Sequence, residues 1–175
     1  MTDKSRVYMD ACCFIDAVKA AVGAKLDSDR QKDAWHIKQL LQAHRDGEVE
    51  VFTSTLSIAE CTHVEGDTSP QVRNHFSALL TSGQYLVLVE ATPFIMMDAR
   101  DLRWGKKVTL RGADAVHVAS ALERRCEEFI TSDKGVGKLN AFPAIRGKLR
   151  AVAGRETKCL PDKYRQLDIE DGKKH

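Results

Sequence analysis

Apolar positions recur with changing period along this chain, and each change of period marks a strand or a helix. Residues 7–9 form a short apolar run that ends at Asp10. From about residue 29 to residue 45 the apolar side chains recur every three or four positions, a helical spacing that stops before Gly47. Residues 49–52 then alternate as a strand does. The first third of the chain therefore predicts two strands separated by helical segments.

Proline and glycine mark the boundaries of the helices that follow. Ser69-Pro70 and Thr92-Pro93 each combine a capping hydroxyl with a proline in the first helical turn. Gly83 and Gly105 stand where these two helices are expected to end. Residues 113–126 keep an apolar face at helical spacing, which predicts a further strong helix.

Strands are predicted between these helices at residues 85–89 and 129–131, with one more at residues 139–143. Residues 85–89 are too apolar for a strand with one wet face, as expected in a parallel sheet that is covered on both sides. Strands that alternate with helices predict an α/β fold, a parallel β-sheet flanked by helices on both faces. We expect one domain over residues 1–150 and a charged, partly disordered C-terminal extension over residues 151–175.

The composition is that of a globular protein, with 43% hydrophobic and 30% charged residues. No apolar run approaches the roughly 20 residues of a membrane span, and the N-terminus lacks the apolar stretch of a signal peptide. We therefore expect a cytoplasmic protein without a membrane partner. The five cysteines are odd in number and none forms a CxxC pair, which predicts reduced thiols rather than a disulfide framework or a zinc site.

Charge is divided unevenly along the chain. Residues 1–99 carry 9 Lys/Arg and 14 Asp/Glu, whereas residues 100–175 carry 18 and 11. Lysine and arginine attract phosphates regardless of sequence, and an aromatic side chain such as that of Trp104 can stack on a base. The residues predicted to contact nucleic acid are Arg103, Lys106, Lys107, Arg111 and Lys134.

Four acidic residues are expected to meet at one edge of the sheet. Asp10 and Asp133 directly follow predicted strands, and the carboxyl ends of parallel strands form the edge where ligands bind. Glu60 lies in the second turn of a helix that Ser54 can cap, and Asp114 lies in the first turn of the helix before the last of these strands. Like charges this close raise one another's pKa unless a cation neutralises them.

A hard divalent cation suits such a cluster. Mg²⁺ prefers oxygen ligands, keeps several waters and takes only a few protein carboxylates. A metal held in this way can polarise a phosphoryl oxygen and activate a water molecule, and one-ion and two-ion sites are both known to do so. The residues alone thus favour hydrolysis of phosphodiester bonds, with Asp10, Glu60, Asp114 and Asp133 as the metal ligands and catalytic residues.

The segments around these acids resemble, in order, the four motifs of PIN-domain nucleases. They read VYMDACCFID, STLSIAEC, RGADAVHVASAL and FITSDKGV, and all four acidic positions of the family pattern are present. The resemblance covers roughly residues 5–145. It implies a Rossmann-like fold and a ribonuclease, specifically a metal-dependent endoribonuclease that uses Mg²⁺ or Mn²⁺ and acts on RNA. Small family members of the VapC type are toxins that an antitoxin protein inhibits, and they are usually homodimers, so the resemblance implies these partners too.

Two features depart from the common family pattern. Ala11 and Cys12 follow Asp10, where a hydroxyl and a hydroxyl or amide are usual, and the chain is longer than a typical toxin. The hydroxyls of Thr131 and Ser132 are placed to hydrogen-bond a metal-binding carboxylate or a water molecule. His117 is expected to pack or hydrogen-bond on its helix rather than bind the metal, because Mg²⁺ sites prefer oxygen.

The sequence fits two other functions of a strand-end aspartate less well. A haloacid-dehalogenase phosphatase with Asp10 as nucleophile would need a second aspartate two residues later, where Cys12 stands. A receiver domain would need paired acids before its phospho-acceptor, and these are absent from the sequence. The alternative from another class is a catalytically weak PIN-like RNA-binding module, which the loss of a core acid would favour; none of the four is lost.

Overall fold

A computed structural model describes residues 4–104, 109–142, 145 and 147–165. Within them, five parallel strands form one sheet in the order β3-β2-β1-β4-β5. The strands are β1 (Arg6–Met9), β2 (Glu50–Ser54), β3 (Val87–Val89), β4 (Glu128–Ile130) and β5 (Arg150–Val152). Strand order reverses at β1, so the crevice between β1 and β4 opens at the carboxyl edge of the sheet, where ligands bind in such folds.

Helices connect the strands. They are α1 (Ala11–Ala21), α2 (Ser28–Arg45), α3 (Leu56–Glu60), α4 (Pro70–Thr81), α5 (Pro93–Trp104), α6 (Gly112–Glu123), α7 (Lys134–Gly137) and α8 (Asp162–Arg165), with 3₁₀ helices at Lys138–Ala141 and Gly154–Glu156. The predicted α/β class is confirmed. Among the described helices, none is long and apolar enough to cross a membrane.

The sheet has a hydrophobic core on each face. Successive residues of a strand point to opposite faces, so Val7 and Met9 of β1 pack under α1, α2 and α4, while Tyr8 packs with Phe129 under α5 and α6. Burial of apolar side chains on both faces explains why the central strands read as nearly continuous apolar runs. The predicted cover of helices on both faces is confirmed.

The predicted helix starts at the two prolines are confirmed. Ser69 accepts a hydrogen bond from the backbone N–H of Val72, and Thr92 accepts one from Ile95. Each hydroxyl thus satisfies a backbone donor that the first helical turn leaves unpaired. The helix that carries Glu60 is shorter than predicted: α3 has five residues and ends at Glu60, although Ser54 does accept from the N–H of Leu56.

Two strand predictions are wrong in part. The run at residues 85–89 yields only the edge strand β3, whose Val87 is 39% exposed rather than covered. The strand predicted at residues 139–143 is absent over residues 139–142, because Lys138–Ala141 is a 3₁₀ helix, and the last strand of the described residues is β5. The Asn140 side chain donates to the carbonyl of Ala151 and accepts from its N–H, both at 2.8 Å, and so pairs with the free edge of β5.

The chain beyond residue 150 continues the domain. The predicted boundary at residue 150 falls at the start of β5, and Gly154 then lies so close to α2 that a Cβ would come within 2.8 Å of the Asp33 carbonyl. Tyr164 of α8 donates to the Asp46 carboxylate at 2.7 Å. The remainder of the predicted extension, residues 166–175, lies outside the described residues.

One buried acid of the first helix is Asp16. It lies inside α1 with its carboxylate fully buried. Arg30 of α2 binds both of its oxygens, at 2.6 and 3.0 Å. The residue therefore joins two helices.

Candidate active site

Asp10 lies at the carboxyl edge of the sheet, in the crevice between β1 and β4. Its backbone N–H donates to the carbonyl of Ile130 at 3.0 Å, which continues the pairing of the two strands as far as the site. Its Oδ1 accepts from the N–H of Ala11 at 2.8 Å, and its Oδ2 accepts from the Thr131 hydroxyl at 3.0 Å. The carboxylate is buried and its orientation is held from both strands.

Thr131 links Asp10 to Asp133. The Thr131 hydroxyl donates to Asp10 and accepts from the backbone N–H of Asp133 at 3.0 Å. Asp133 itself is exposed, and its Oδ1 accepts from the N–H of Gly135 at 2.7 Å. The turn after β4 therefore presents a second carboxylate beside the first. The hydroxyl of Ser132, which was also predicted to contact a carboxylate, makes no hydrogen bond to the four acids within the described residues.

Asp114 brings a third negative charge to the same edge. Partial burial in the first turn of α6 raises its pKa, and the charge of Asp10 raises it further. The neighbouring Arg111 opposes this shift, while Asp133 adds to it. The three aspartates thus interact electrostatically although they come from three separate segments of the chain.

Glu60 reaches the site through a histidine. At the end of α3, its Oε2 lies 2.7 Å from Nε2 of His117, and the same nitrogen is 3.9 Å from Oδ1 of Asp10. The other ring nitrogen, Nδ1, lies 2.8 Å from the hydroxyl of Tyr8. His117 is buried and hydrogen-bonded, as its expected packing role requires.

Cys12 fills the position where the family pattern has a hydroxyl or amide. Its Sγ lies 3.4 Å from Oδ2 of Asp10 and 3.5 Å from the Thr131 hydroxyl, and it accepts from the backbone N–H of Ser132 at 3.3 Å. The thiol therefore contacts both Asp10 and Thr131, although a thiol is a weaker hydrogen-bond donor than the hydroxyl or amide that is usual at this position.

The donor set fits a hard cation by its chemistry. All four acids offer oxygen. The pKa of Asp114 is raised first by burial and then by the charges of Asp10 and Asp133, and a cation would relieve that repulsion. No three His, Cys, Asp or Glu side chains of the described chain are close enough to enclose a metal on their own. Mg²⁺ is commonly held by one or two carboxylates and several waters, so enclosure by three side chains is not required.

The predicted nucleic-acid residues fall into separate places. Arg111 is exposed next to Asp114, and Lys134 begins α7 and lines a cavity of about 510 Å³ together with Asp133. Arg103 lies on α5 beside Trp104, in a different cavity of about 440 Å³. Lys106 and Lys107 lie outside the described residues.

Sequence reasoning overlooked Tyr8. It sits in the apolar run of β1, where its ring stacks on Phe129 and its hydroxyl accepts from the backbone N–H of Ser54 at 2.7 Å. A tyrosine inside an otherwise apolar buried strand was the available signal, because a buried phenol needs a hydrogen-bond partner.

Comparison with known proteins places the chain in a family. The PIN-domain family model matches residues 7–141. No curated protein sequence matches the chain. Among solved structures it resembles a chain of VapBC2 from Rickettsia felis bound to a DNA fragment from their promoter, with 12% identity, a TM-score of 0.56, and coverage of 84% of this chain and 97% of that one. That likeness shows a shared fold. With the family match spanning most of its length, this chain belongs to the PIN-domain family, whose members are generally nucleases.

Proposed function

We propose that this protein is an endoribonuclease that depends on Mg²⁺ or Mn²⁺. The observation that carries the proposal is the geometry at the switch point of the sheet, where the Thr131 hydroxyl donates to Asp10 and accepts from the N–H of Asp133. Asp114 adds a third carboxylate, whose pKa is raised by burial and by the charge of Asp10. Carboxylates gathered in this way are unfavourable without a cation, and their position at the carboxyl edge of the sheet matches a metal-binding role better than a structural one.

The side chains of the site have distinct tasks in this proposal. The cation would be held by one or two of the carboxylates of Asp10, Asp114, Asp133 and Glu60 directly, and by the others through its bound water molecules. When bound, the cation supplies polarisation of a phosphoryl oxygen and a more acidic water molecule. Thr131 keeps Asp10 oriented through its 3.0 Å hydrogen bond. The exposed Arg111 and Lys134 flank the carboxylates and bind the RNA phosphates on either side.

The substitution Asp10→Asn tests this function. The amide keeps an oxygen to accept from Ala11 but removes one negative charge, so cleavage of a labelled RNA should fall on the order of 100-fold or more while the fold is kept. The melting temperature without metal should stay equal or rise, because repulsion with Asp114 is relieved. Asp162→Asn, at a carboxylate that is 95% exposed on α8, is the matched control and should cleave normally.

Metal dependence is tested separately, by the effect of added Mn²⁺ on the melting temperature of the same proteins. Mn²⁺ added after EDTA treatment should raise the melting temperature of the wild-type protein, since a ligand of the folded state stabilises it by mass action, and should do so less in Asp114→Asn. Wild-type cleavage by the Asp10→Asn variant would contradict the proposal. Wild-type protein that binds RNA without cleaving it, with or without Mn²⁺, would instead identify a PIN-like RNA-binding module.

We further propose that the protein is the toxin of a toxin–antitoxin pair. Support comes from the likeness to VapBC2 over 97% of the matched chain. Expression of the wild-type protein in bacteria should then arrest growth, and expression of Asp10→Asn should not. Normal growth with an active wild-type nuclease would point to a PIN nuclease outside toxin–antitoxin systems.

A homodimer is also proposed, through a surface that we call the α5 face. Its exposed apolar side chains are Phe94, Met96, Met97 and Trp104 of α5, Ile58 of α3 and Val87 of the edge strand β3. The same helix exposes two acids, Asp98 and Asp101, and two bases, Arg100 and Arg103. A two-fold dimer pairs a surface with itself, so a helix that carries equal numbers of both charges suits an antiparallel copy of itself.

A further inference from the structure

A series of buried hydrogen bonds connects the backbone of β2 to the carboxylate of Glu60. The N–H of Ser54 donates to the Tyr8 hydroxyl at 2.7 Å, that hydroxyl lies 2.8 Å from Nδ1 of His117, and Nε2 of His117 lies 2.7 Å from Oε2 of Glu60. Tyr8 and His117 are almost fully buried, so water does not compete for these groups. Four segments of the chain are joined in this way.

With a neutral imidazole, the donors and acceptors of these three hydrogen bonds have a consistent arrangement. Tyr8 is fully buried, and its phenol carries a proton at neutral pH as phenols ordinarily do. Its oxygen already accepts from the N–H of Ser54, and the phenol proton is therefore donated to Nδ1 of His117. A neutral imidazole that accepts at Nδ1 carries its proton on Nε2. That N–H is the group that faces Glu60.

The Nε2–H of His117 stands between two carboxylates. It lies 2.7 Å from Oε2 of Glu60 and 3.9 Å from Oδ1 of Asp10, so the short hydrogen bond goes to Glu60. The other oxygen of Glu60, Oε1, has no hydrogen-bond partner among the described residues and is left for a ligand. The side chain of Glu60 is about one-third exposed and would otherwise rotate at the end of a five-residue helix.

We propose that Tyr8 and His117 are positioning residues that hold Glu60 for cation binding, Tyr8 by fixing the proton on Nε2 of His117 and His117 by anchoring Oε2. The inference rests on the proposed cation-dependent function and assigns to two buried residues a part in it. Residues outside the first ligand shell that orient a ligand typically change metal affinity about 10–100-fold when they are replaced.

Two isosteric substitutions of His117 separate positioning from simple packing. Glutamine places an amide N–H near the position of Nε2 and can still donate to Glu60, whereas asparagine reaches only the position of Nδ1 and can still accept from Tyr8. Calorimetric titration of the metal-free proteins with Mn²⁺ should show affinity about 10–100-fold weaker in His117→Asn and within about threefold of wild type in His117→Gln. If His117 only packs and satisfies Tyr8, Mn²⁺ affinity should instead be lower in His117→Gln than in His117→Asn, because glutamine leaves the Tyr8 hydroxyl without its acceptor.

A spectroscopic measurement on the metal-free wild-type protein keeps the proposal open to disproof even if a variant fails to fold. Nitrogen-15 NMR of the histidine rings should show His117 as the single Nε2–H tautomer, and Tyr8→Phe should lose this preference. An Nδ1–H tautomer in the wild type, or equal Mn²⁺ affinity in the Asn and Gln variants, would overturn the positioning role. Wild-type protein with the Nε2–H tautomer but no Mn²⁺ binding would overturn the proposed cation site itself, and the positioning role with it.

Discussion

At the scale of single residues, a thiol lies beside Asp10 where a hydroxyl or amide is usual. Cys12 is half-buried, while the other four cysteines are buried. Burial raises the pKa of Cys61, Cys126 and Cys159 to about 12, so these thiols stay protonated and unreactive near neutral pH. The five thiols therefore differ in reactivity by their position in the fold.

The native protein should accordingly react quickly with one equivalent of a chromogenic disulfide reagent, and with five equivalents after unfolding. The reason is that the reagent must meet an accessible thiol, and Cys12 is the accessible one. Absorbance during the reaction gives both numbers. Cys12→Ser, which keeps a hydrogen-bonding group beside Thr131, should abolish the fast equivalent. Two or more fast equivalents in the native wild type would show that a cysteine described as buried becomes accessible.

Single residues also show where motif reasoning ends. Asp10 and Asp133 could be named from the sequence because they follow apolar runs, and Asp114 because it lies in the first turn of a recognisable helix. Glu60 could be named because it follows a capping serine within a short helical segment. The role of Thr131 as the link between Asp10 and Asp133 needed the structure, since its partners lie 121 and 2 residues away and only the pairing of β4 with β1 brings the first within reach.

At the scale of secondary-structure elements, a buried ion pair joins α1 to the first turn of α2. Arg30 binds both oxygens of Asp16, whose side chain is fully buried, while that of Arg30 is 38% exposed. Burial raises the pKa of Asp16 and the bonds from Arg30 oppose this shift. If Asp16 is replaced, the remaining charge of Arg30 can still be hydrated. If Arg30 is replaced, the remaining charge of Asp16 stays buried away from water.

Arg30→Met should for this reason destabilise the protein by about 3 kcal/mol at pH 8, more than Asp16→Asn does. A carboxyl whose folded pKa is raised takes up a proton as the pH falls, so the loss in Arg30→Met should be smaller at pH 5 than at pH 8. Urea unfolding of the two variants at both pH values measures this. Equal losses in the two variants, or a loss in Arg30→Met that grows as the pH falls, would contradict the account.

A contact between α2 and β2 depends on a neutral histidine. His44, in the last turn of α2, accepts from the backbone N–H of Val51 at 3.1 Å, and burial lowers its pKa. A histidine with a lowered folded pKa binds its proton more readily in the unfolded chain. Its stabilising contribution is thus complete above the unfolded value of about 6.5 and is lost as the pH falls from there towards the folded value.

His44→Asn should therefore make the stability of the protein less dependent on pH between about 7 and 5, because the amide oxygen keeps an acceptor near the position of Nδ1 and does not titrate. Urea unfolding of wild type and variant across this range gives the comparison. The same decline in both proteins would mean that other groups produce it.

At the scale of the whole molecule, the α5 face collects the large apolar side chains that are exposed among the described residues. Phe94 is 78% exposed and Trp104 is 71% exposed, and Arg100 lies 4.9 Å from the ring centroid of Trp104. Exposed apolar groups of this size mark interaction sites, and a specific dimer buries roughly 800 Å² on each partner. Residues of three elements, α3, α5 and β3, contribute to the face.

Phe94→Glu should convert the proposed homodimer to a monomer, since a charge would have to lose its water at the centre of the interface. Sedimentation velocity over a range of concentrations measures the association. Asn74→Glu, an equal change of charge at an exposed position of α4, is the control and should leave the dimer intact. A wild-type protein that stays monomeric at high micromolar concentration would rule out this use of the face.

The α/β class, the starts of most helices and the acids at the strand ends could all be predicted from the amino-acid sequence. These features depend on local chemistry: the spacing of apolar residues, the capping hydroxyls at Ser69 and Thr92, and prolines in the first turn. The edge that collects the acids also followed from the sequence, because parallel strands place their carboxyl ends together.

The strand order, the position of the last described strand and the partners of the buried polar groups could not be predicted, because they depend on long-range packing. Tyr8 and His117 are 109 residues apart, and His117 and Glu60 are 57 apart, so no local pattern could pair them. Residues 139–143 have the apolar character of a strand, yet Asn140 uses its side chain to pair with β5 instead. Whether such a segment forms a strand, and which polar groups pair, depends on the surfaces that come into contact when the whole chain packs, and not on the segment alone.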